Sequence, residues 1–165
     1  MAEVFDEVFI QEEDTLRGKF LTFSIGKEIY GIEIRYVIEI IGIQPITEVP
    51  ELPSYVKGII NLRGKIIPVI DVRLRFKKSE KEYNDRTCII VINVNNTNIG
   101  LIIDSVAEVI SITEEDIVPP PNVTNSFSNK YISGIGKVSK EVKLLLDCNK
   151  LLAEDEIDNL NEIIL

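Results

Sequence analysis

The chain predicts a mainly β protein of two similar small-barrel lobes. Three observations carry that expectation. Ile, Val and Leu dominate an apolar content of 45%, and branched aliphatics favour strands. Short strand-like runs are separated by turn residues at close spacing, as in small barrels. The chain also repeats itself.

Gly31 and Gly100 lie 100 − 31 = 69 positions apart, and the same shift pairs Ile34 with Ile103, Val37 with Val106, Glu39 with Glu108, Ile40 with Val109, and Ile41 with Ile110. Further on, a shift of 131 − 55 = 76 pairs Tyr55 with Tyr131, Gly58 with Gly134, Ile59 with Ile135 and Asp71 with Asp147. The difference, 76 − 69 = 7 residues, places an insertion near Pro119-Pro120-Pro121, because a proline run cannot continue a central strand. Two ordered blocks with matched Gly, Tyr, Glu and Asp indicate duplication: two lobes, each needing a partner surface to complete its burial.

The elements follow in order. Lys19 to Ile25 alternates Phe20, Thr22 and Ser24 against Leu21, Phe23 and Ile25, the period of a strand. Gly26-Lys27 turns the chain and Ile29 to Ile34 returns. Arg35 to Glu39 is read as a turn or two of helix before a strand at Ile40 to Ile43. Ile59-Ile60 and Ile66 to Val72 supply two more strands, with Pro68 marking an edge or bulge because it cannot donate to a ladder. The second copy is read as strands Thr87 to Val94, Ile99 to Ile103, Val109 to Ile112, Ile132 to Val138 and Val142 to Asp147, with a turn of helix at Asp104 to Glu108. Asn93 to Asn98 is a polar hairpin turn. The charged stretch Lys77 to Arg86 reads as a solvated connector. Ile157, Leu160 and Ile164 recur at helical spacing, predicting a C-terminal helix. The expected organisation is one domain over 1–165, with a first lobe at 15–82, a second at 83–152 and the helix at 153–165, strands being free to cross between lobes.

Composition excludes several functions. Net charge is −9, with 27 acidic and 18 basic residues, which disfavours nucleic acid and anionic membranes. No run of about 18 apolar residues occurs, so no direct membrane insertion is expected. Met1 to Asp14 is acidic and lacks a signal pattern, so the expected location is cytoplasmic. There is no histidine, which removes histidine triads and histidine metal sites. No nucleotide or calcium loop is present. Cys88 and Cys148 lack metal spacing and read as buried thiols. Asp71 and Asp147 sit at matched strand ends and read as turn caps. A non-enzymatic binding module without cofactor or metal is therefore expected.

The most informative stretch is Tyr55-Val56-Lys57-Gly58-Ile59-Ile60-Asn61-Leu62-Arg63-Gly64-Lys65-Ile66-Ile67-Pro68-Val69-Ile70-Asp71. Its second copy keeps the apolar frame but has Ser139 and Lys140 where Arg63 and Gly64 stand. The frame reads as structural and the arginine as functional. A guanidinium fork suits carboxylates or carbonyls on a partner, and arginine is enriched at interface hot spots. An intramolecular pair with Glu39 or Asp71 is the alternative.

Together with Tyr30-Gly31-Ile32-Glu33-Ile34 and Gly100-Leu101-Ile102-Ile103-Asp104-Ser105-Val106, the block Gly58 to Asp71 resembles the CheW family of chemotaxis coupling proteins. The resemblance runs from about Lys19 to Leu152. It implies a pair of five-stranded, SH3-like β-barrels side by side. It further implies a scaffold that binds the regulatory domain of the histidine kinase CheA and the cytoplasmic tip of methyl-accepting chemoreceptors, and is recruited to membrane-associated receptor arrays. Family receptor contacts, in a groove between the lobes, map onto Leu21, Ile34, Val37, Ile40, Gly58, Arg63 and Val106, of which Leu21 and Ile34 read equally well as core. No kinase-binding residue is assigned. The catalytic domain of CheA and the receiver domain of the related CheV have no counterpart in the 165 residues. A small-barrel module binding another protein or ligand outside chemotaxis is the rival reading.

Overall fold

Repetition in the sequence becomes repetition in hydrogen-bond register. The structure, a computed structural model, describes residues 16–120 and 130–151. Its strands are β1 (Lys19–Ile25), β2 (Glu28–Glu33), β3 (Val37–Gly42), β4 (Val56–Leu62), β5 (Lys65–Asp71), β6 (Cys88–Val94), β7 (Thr97–Ile103), β8 (Ser105–Ser111), β9 (Ile117–Val118), β10 (Ile132–Val138) and β11 (Glu141–Leu146). A 3-10 turn, Ile34–Tyr36, links β2 to β3, and short helices Val72–Arg75 and Cys148–Leu151 follow β5 and β11.

The strands form two sheets, β8-β1-β2-β11-β10-β9 and β3-β6-β7-β5-β4. Each sheet curls into a barrel for a simple reason of chain length. β8 and β9 lie on opposite edges of the first sheet yet are joined by residues 112–116 alone. In the second sheet Thr47, five residues beyond β3, bridges Ile59 of β4 on the far edge. A few residues reach at most ~3.3–3.6 Å each, so the edges must approach. The two lobes are thus a six-stranded and a five-stranded barrel, β9 being the extra strand.

Neither barrel is one contiguous half of the chain. The first takes β1 and β2 from the first repeat and β8 to β11 from the second; the other takes β3 to β5 and β6-β7. The sequence repeats meet within the connector, and the sheets cut across them. Registers nevertheless match pair by pair. Lys19 faces Ser111 as Cys88 faces Gly42, and Phe20 faces Glu33 as Ile89 faces Ile102. Bulges fall at equivalent places, between Leu21 and Phe23 and between Val37 and Glu39, and again between Val56 and Gly58 and between Ile132 and Gly134. The amides of Asp71 and Asp147 donate to Tyr55 and Tyr131, both at 2.8 Å. Asp71 caps its helix by accepting from the Leu74 amide, and Asp147 accepts from the Asn149 amide, the capping role expected of both.

Period-two strands divide the burial. In β6, Ile89 and Val91 fill the five-stranded barrel while Ile90 and Ile92 face a central core, so both faces are apolar. That central core joins Leu21, Phe23, Ile25 and Ile32 from one sheet to Ile90, Ile92, Leu101 and Ile103 from the other. Phe20, Ile112 and Leu145 fill the remaining barrel. Arg75 lies over the rings of Tyr55 and Tyr131, at 4.2 and 5.0 Å, and its Nε donates to the Leu151 carbonyl.

Several local expectations are corrected. Asp104 to Glu108 forms no helical turn: β7 passes into β8 through Asp104 alone, and the β-branched Val106 and Val109 lie within β8, opposite Phe23 and Leu21 of β1. β5 is an interior strand and not an edge, but its ladder with β4 is bulged beside the Ile59–Pro68 pair, the other alternative for Pro68, and the parallel ladder to β7 begins one residue later, at Val69. The inserted residues divide: 118 − 47 = 71, so two precede β9 and five follow it. The connector is tied down by Lys78–Glu28 and Lys57–Glu80 ion pairs and by the Tyr83 hydroxyl, which donates to Asp71 at 2.9 Å. Cys88 is half-buried, not buried. The expected helix at 153–165 lies outside the described residues.

Interleaving makes each half dependent on the other. Cut within Lys77 to Arg86, the two fragments should each lack a cooperative melt alone and regain strand circular dichroism as a 1:1 complex on mixing. A cooperative melt of residues 1–82 by themselves would contradict this topology.

Candidate functional site

The central core has a surface, and the residues that roof it define the candidate groove. Ile34, Val37 and Val106 are half-buried and pack on the central core from outside. Val37 opens β3, an edge of one sheet, and Val106 lies near the start of β8, an edge of the other. One apolar residue from each repeat thus lines the seam. Ile40 is on the outward face of β3 and 43% exposed. Leu21 is 2% exposed in the central core, so it supports the groove and offers no surface. Gly58 is buried in the β4 bulge.

Arg63 stands at the tip of the β4–β5 hairpin. Leu62 and Lys65 pair across a two-residue loop in which Arg63 and Gly64 have φ of 52° and 86°. Two positive φ values define the turn that matches strand twist. The Asn61 side chain accepts from the Gly64 amide at 2.9 Å and closes the loop. Ser139 occupies the equivalent turn with φ 55°, so the turn itself does not require arginine. The Arg63 side chain is 72% exposed, and its guanidinium forms an ion pair with Glu39 on β3. Of the two intramolecular partners weighed from sequence, Glu39 is the one found. Asp71 is buried and accepts from Leu74 and Tyr83. The pair bridges the β4–β5 hairpin to β3 while leaving the Arg63 side chain largely exposed.

Two further residues belong to this surface and were not singled out from sequence. Ile38, 54% exposed, shares the outward face of β3 with Ile40. Val109, 53% exposed, is the repeat partner of Ile40 on β8. The signal for both was present: the repeat already paired Ile40 with Val109, and Ile38 has the same strand parity as Ile40.

Among the described residues no group of three or more Cys, Asp or Glu side chains is arranged to hold a metal ion. Burial pushes the Cys148 thiol up to about 12, leaving it a neutral packing group. No helix among the described residues is long and apolar enough to cross a membrane.

Residues 19–156 match the CheW-like domain. The chain belongs to that family. It is 36% identical over 144 residues to the chemotaxis protein CheW of Klebsiella aerogenes, covering 87% of each chain. It is 37% identical over 145 residues to CheW of Helicobacter pylori, covering 88% of this chain and 87% of that one. Among solved structures it resembles the scaffolding protein TtCheW from Thermoanaerobacter tengcongensis, with a TM-score of 0.76 and 39% identity over 81% of this chain and 91% of the other. The CheW family is a non-enzymatic chemotaxis scaffold family, and the chain is a scaffold rather than an enzyme.

Gly58 and Arg63 should separate cleanly in denaturation experiments. Gly58 has φ 147°, and a Cβ there would lie 2.0 Å from the Thr47 carbonyl oxygen. Gly58→Ala should cost about 2–4 kcal/mol, strain and overpacking together. Arg63→Ala should cost under ~1 kcal/mol, the scale of an exposed ion pair. Equal losses in urea titrations would refute the division between frame and surface.

Proposed function

We propose that the chain couples chemoreceptors to the histidine kinase CheA, using the seam between its barrels as the receptor-binding surface. The observation that carries this reading is the apolar seam of Ile34, Val37 and Val106, extended by Ile38 and Ile40 and bordered by the Arg63–Glu39 pair, in a chain of a chemotaxis scaffold family. An exposed apolar strip with a charged rim fits an amphipathic helix of a receptor tip. Arg63 contributes planar donors to carboxylates or carbonyls on that helix. Its exposure and its loop frame, which the second copy builds without arginine, support a role in binding rather than in folding. Gly58 acts indirectly, by allowing β4 to meet Thr47 beneath the hairpin. The partners proposed are the CheA regulatory domain and the receptor tip, met in the cytoplasm at receptor arrays.

In a mixture of receptor fragments and CheA, autophosphorylation should respond to receptor only when this chain is added. Arg63→Ala should weaken receptor-tip binding by roughly 1–3 kcal/mol, hot-spot scale, and leave binding to the CheA regulatory domain nearly unchanged. Receptor-tip binding as tight as the parent's would remove Arg63 from the interface. A chain that leaves kinase output unchanged would fail the coupling role.

A further inference from the structure

The two repeats cross between sheets differently, and the difference falls beside the groove. In the first repeat a 3-10 turn, Ile34–Tyr36, spreads the crossover from β2 to β3 over three residues. In the second, Asp104 alone separates β7 of one sheet from β8 of the other. A single residue must absorb the change of sheet, and its side chain is tied down from three directions. The Asp104 carboxylate accepts from the Gly26 amide at 2.7 Å and from Arg73 Nε at 3.0 Å, and Lys81 Nζ lies 3.9 Å away. Its own amide donates to the Ser24 carbonyl at 3.2 Å. The Arg73 and Asp104 side chains are 16% and 12% exposed, so this pair is largely shielded from solvent.

The clasp is absent from the other repeat. Residue 104 − 69 = 35 is an arginine, which pairs locally with Glu33 and the Tyr36 hydroxyl on an exposed surface. The equivalents of Gly26 and Arg73, at 26 + 69 = 95 and 73 + 76 = 149, are asparagines. The order continues along β8. The Ser24 and Ser105 hydroxyls are 2.5 Å apart. Thr22 Oγ1 donates to the Glu108 carbonyl at 2.7 Å and accepts from the Glu108 amide at 3.1 Å, spanning the bulge. Their repeat equivalents, Asn93 and Val91, make no such tie to β3. Polar pairs therefore pin the start of β8 from within. Val106, which roofs the seam, lies two residues from the clasp.

We infer that Asp104 and Arg73 are positioning residues for partner binding: their pair fixes the crossover so that β8 presents Val106 and Val109 beside the seam. This rests on the reading of the seam as the receptor-binding surface. Removing one member of a shielded pair leaves the other charge uncompensated, and the cheapest relief is local loosening of the strand it anchors.

The test uses the full chain with Asp104→Asn, which keeps an acceptor for Gly26 and removes the charge opposite Arg73. A second variant, Arg73→Lys, keeps that charge and supplies the answer if the first does not fold. Amide hydrogen exchange in β8 should accelerate by about tenfold or more in Asp104→Asn and by less in Arg73→Lys, while both chains melt cooperatively. Receptor-tip Kd should rise about tenfold in Asp104→Asn, with CheA regulatory-domain Kd within about twofold of the parent's. Unchanged β8 exchange in both variants overturns the inference, as does a loosened β8 with receptor Kd unaltered. If the parent chain itself fails to bind a receptor tip, the functional reading falls separately, and β8 exchange still decides whether the clasp orders that strand.

Discussion

Burial of one apolar core between two interleaved sheets is the constraint on which the rest of the structure depends. β1 and β2 leave their own repeat to pair with β8 and β11, and β6 and β7 do the reverse with β3 and β5. The inner faces of both sheets then meet at Phe23, Ile32, Ile90, Leu101 and their neighbours. Each fully buried aliphatic contributes about 1.5–3 kcal/mol. One such residue outweighs an exposed ion pair of roughly 0–1 kcal/mol. The fold is therefore insensitive to its surface charges, and the surface is free to carry recognition.

The same interleaving creates the seam between the sheets. β3 and β8 end up as edges of different sheets, and their first residues lie over the central core, so Val37 and Val106 flank one seam although they lie 106 − 37 = 69 positions apart. The two sides are then secured by different means. β3 is tied from outside by Glu39 to the Arg63 hairpin. β8 is tied from within by Asp104, Ser105 and the Thr22 bond to Glu108. An approximately symmetric frame thus carries an asymmetric surface.

Much of this was legible in the residues because the repeat reports on backbone geometry. Gly58 and Gly134 mark equivalent bulges, Asp71 and Asp147 equivalent caps, and Tyr55 and Tyr131 the acceptors opposite them. Strand alternation in Lys19 to Ile25 separated Leu21, Phe23 and Ile25, which enter the central core, from the opposite face, where Phe20 packs with Ile112 and Leu145. Strand partners were less legible. The parallel pairings of β5 with β7 and of β11 with β2 join residues far apart in sequence, and local pattern is silent about them. For that reason Pro68 looked like an edge or bulge, and Asp104 to Glu108 looked like a helical turn because β8 pairs antiparallel with β1, also far away in sequence. At the site, Arg63 stood out through its loss in the second copy, but its choice of Glu39 over Asp71 depends on a hairpin reaching across to β3. Leu21 could be read as groove or core, and only the packing of the two sheets places it inside.

The most direct test of a recognition surface over this shared core is a hydrogen-exchange footprint of the full chain with a receptor-tip hairpin. Binding should slow exchange in Val37 to Ile40, in the Arg63 hairpin and at the start of β8, while amides of β6 and β7, already protected inside the body, stay unchanged. Protection confined to the β10–β11 hairpin, or spread evenly across both barrels, would contradict the placement of the receptor site at the seam.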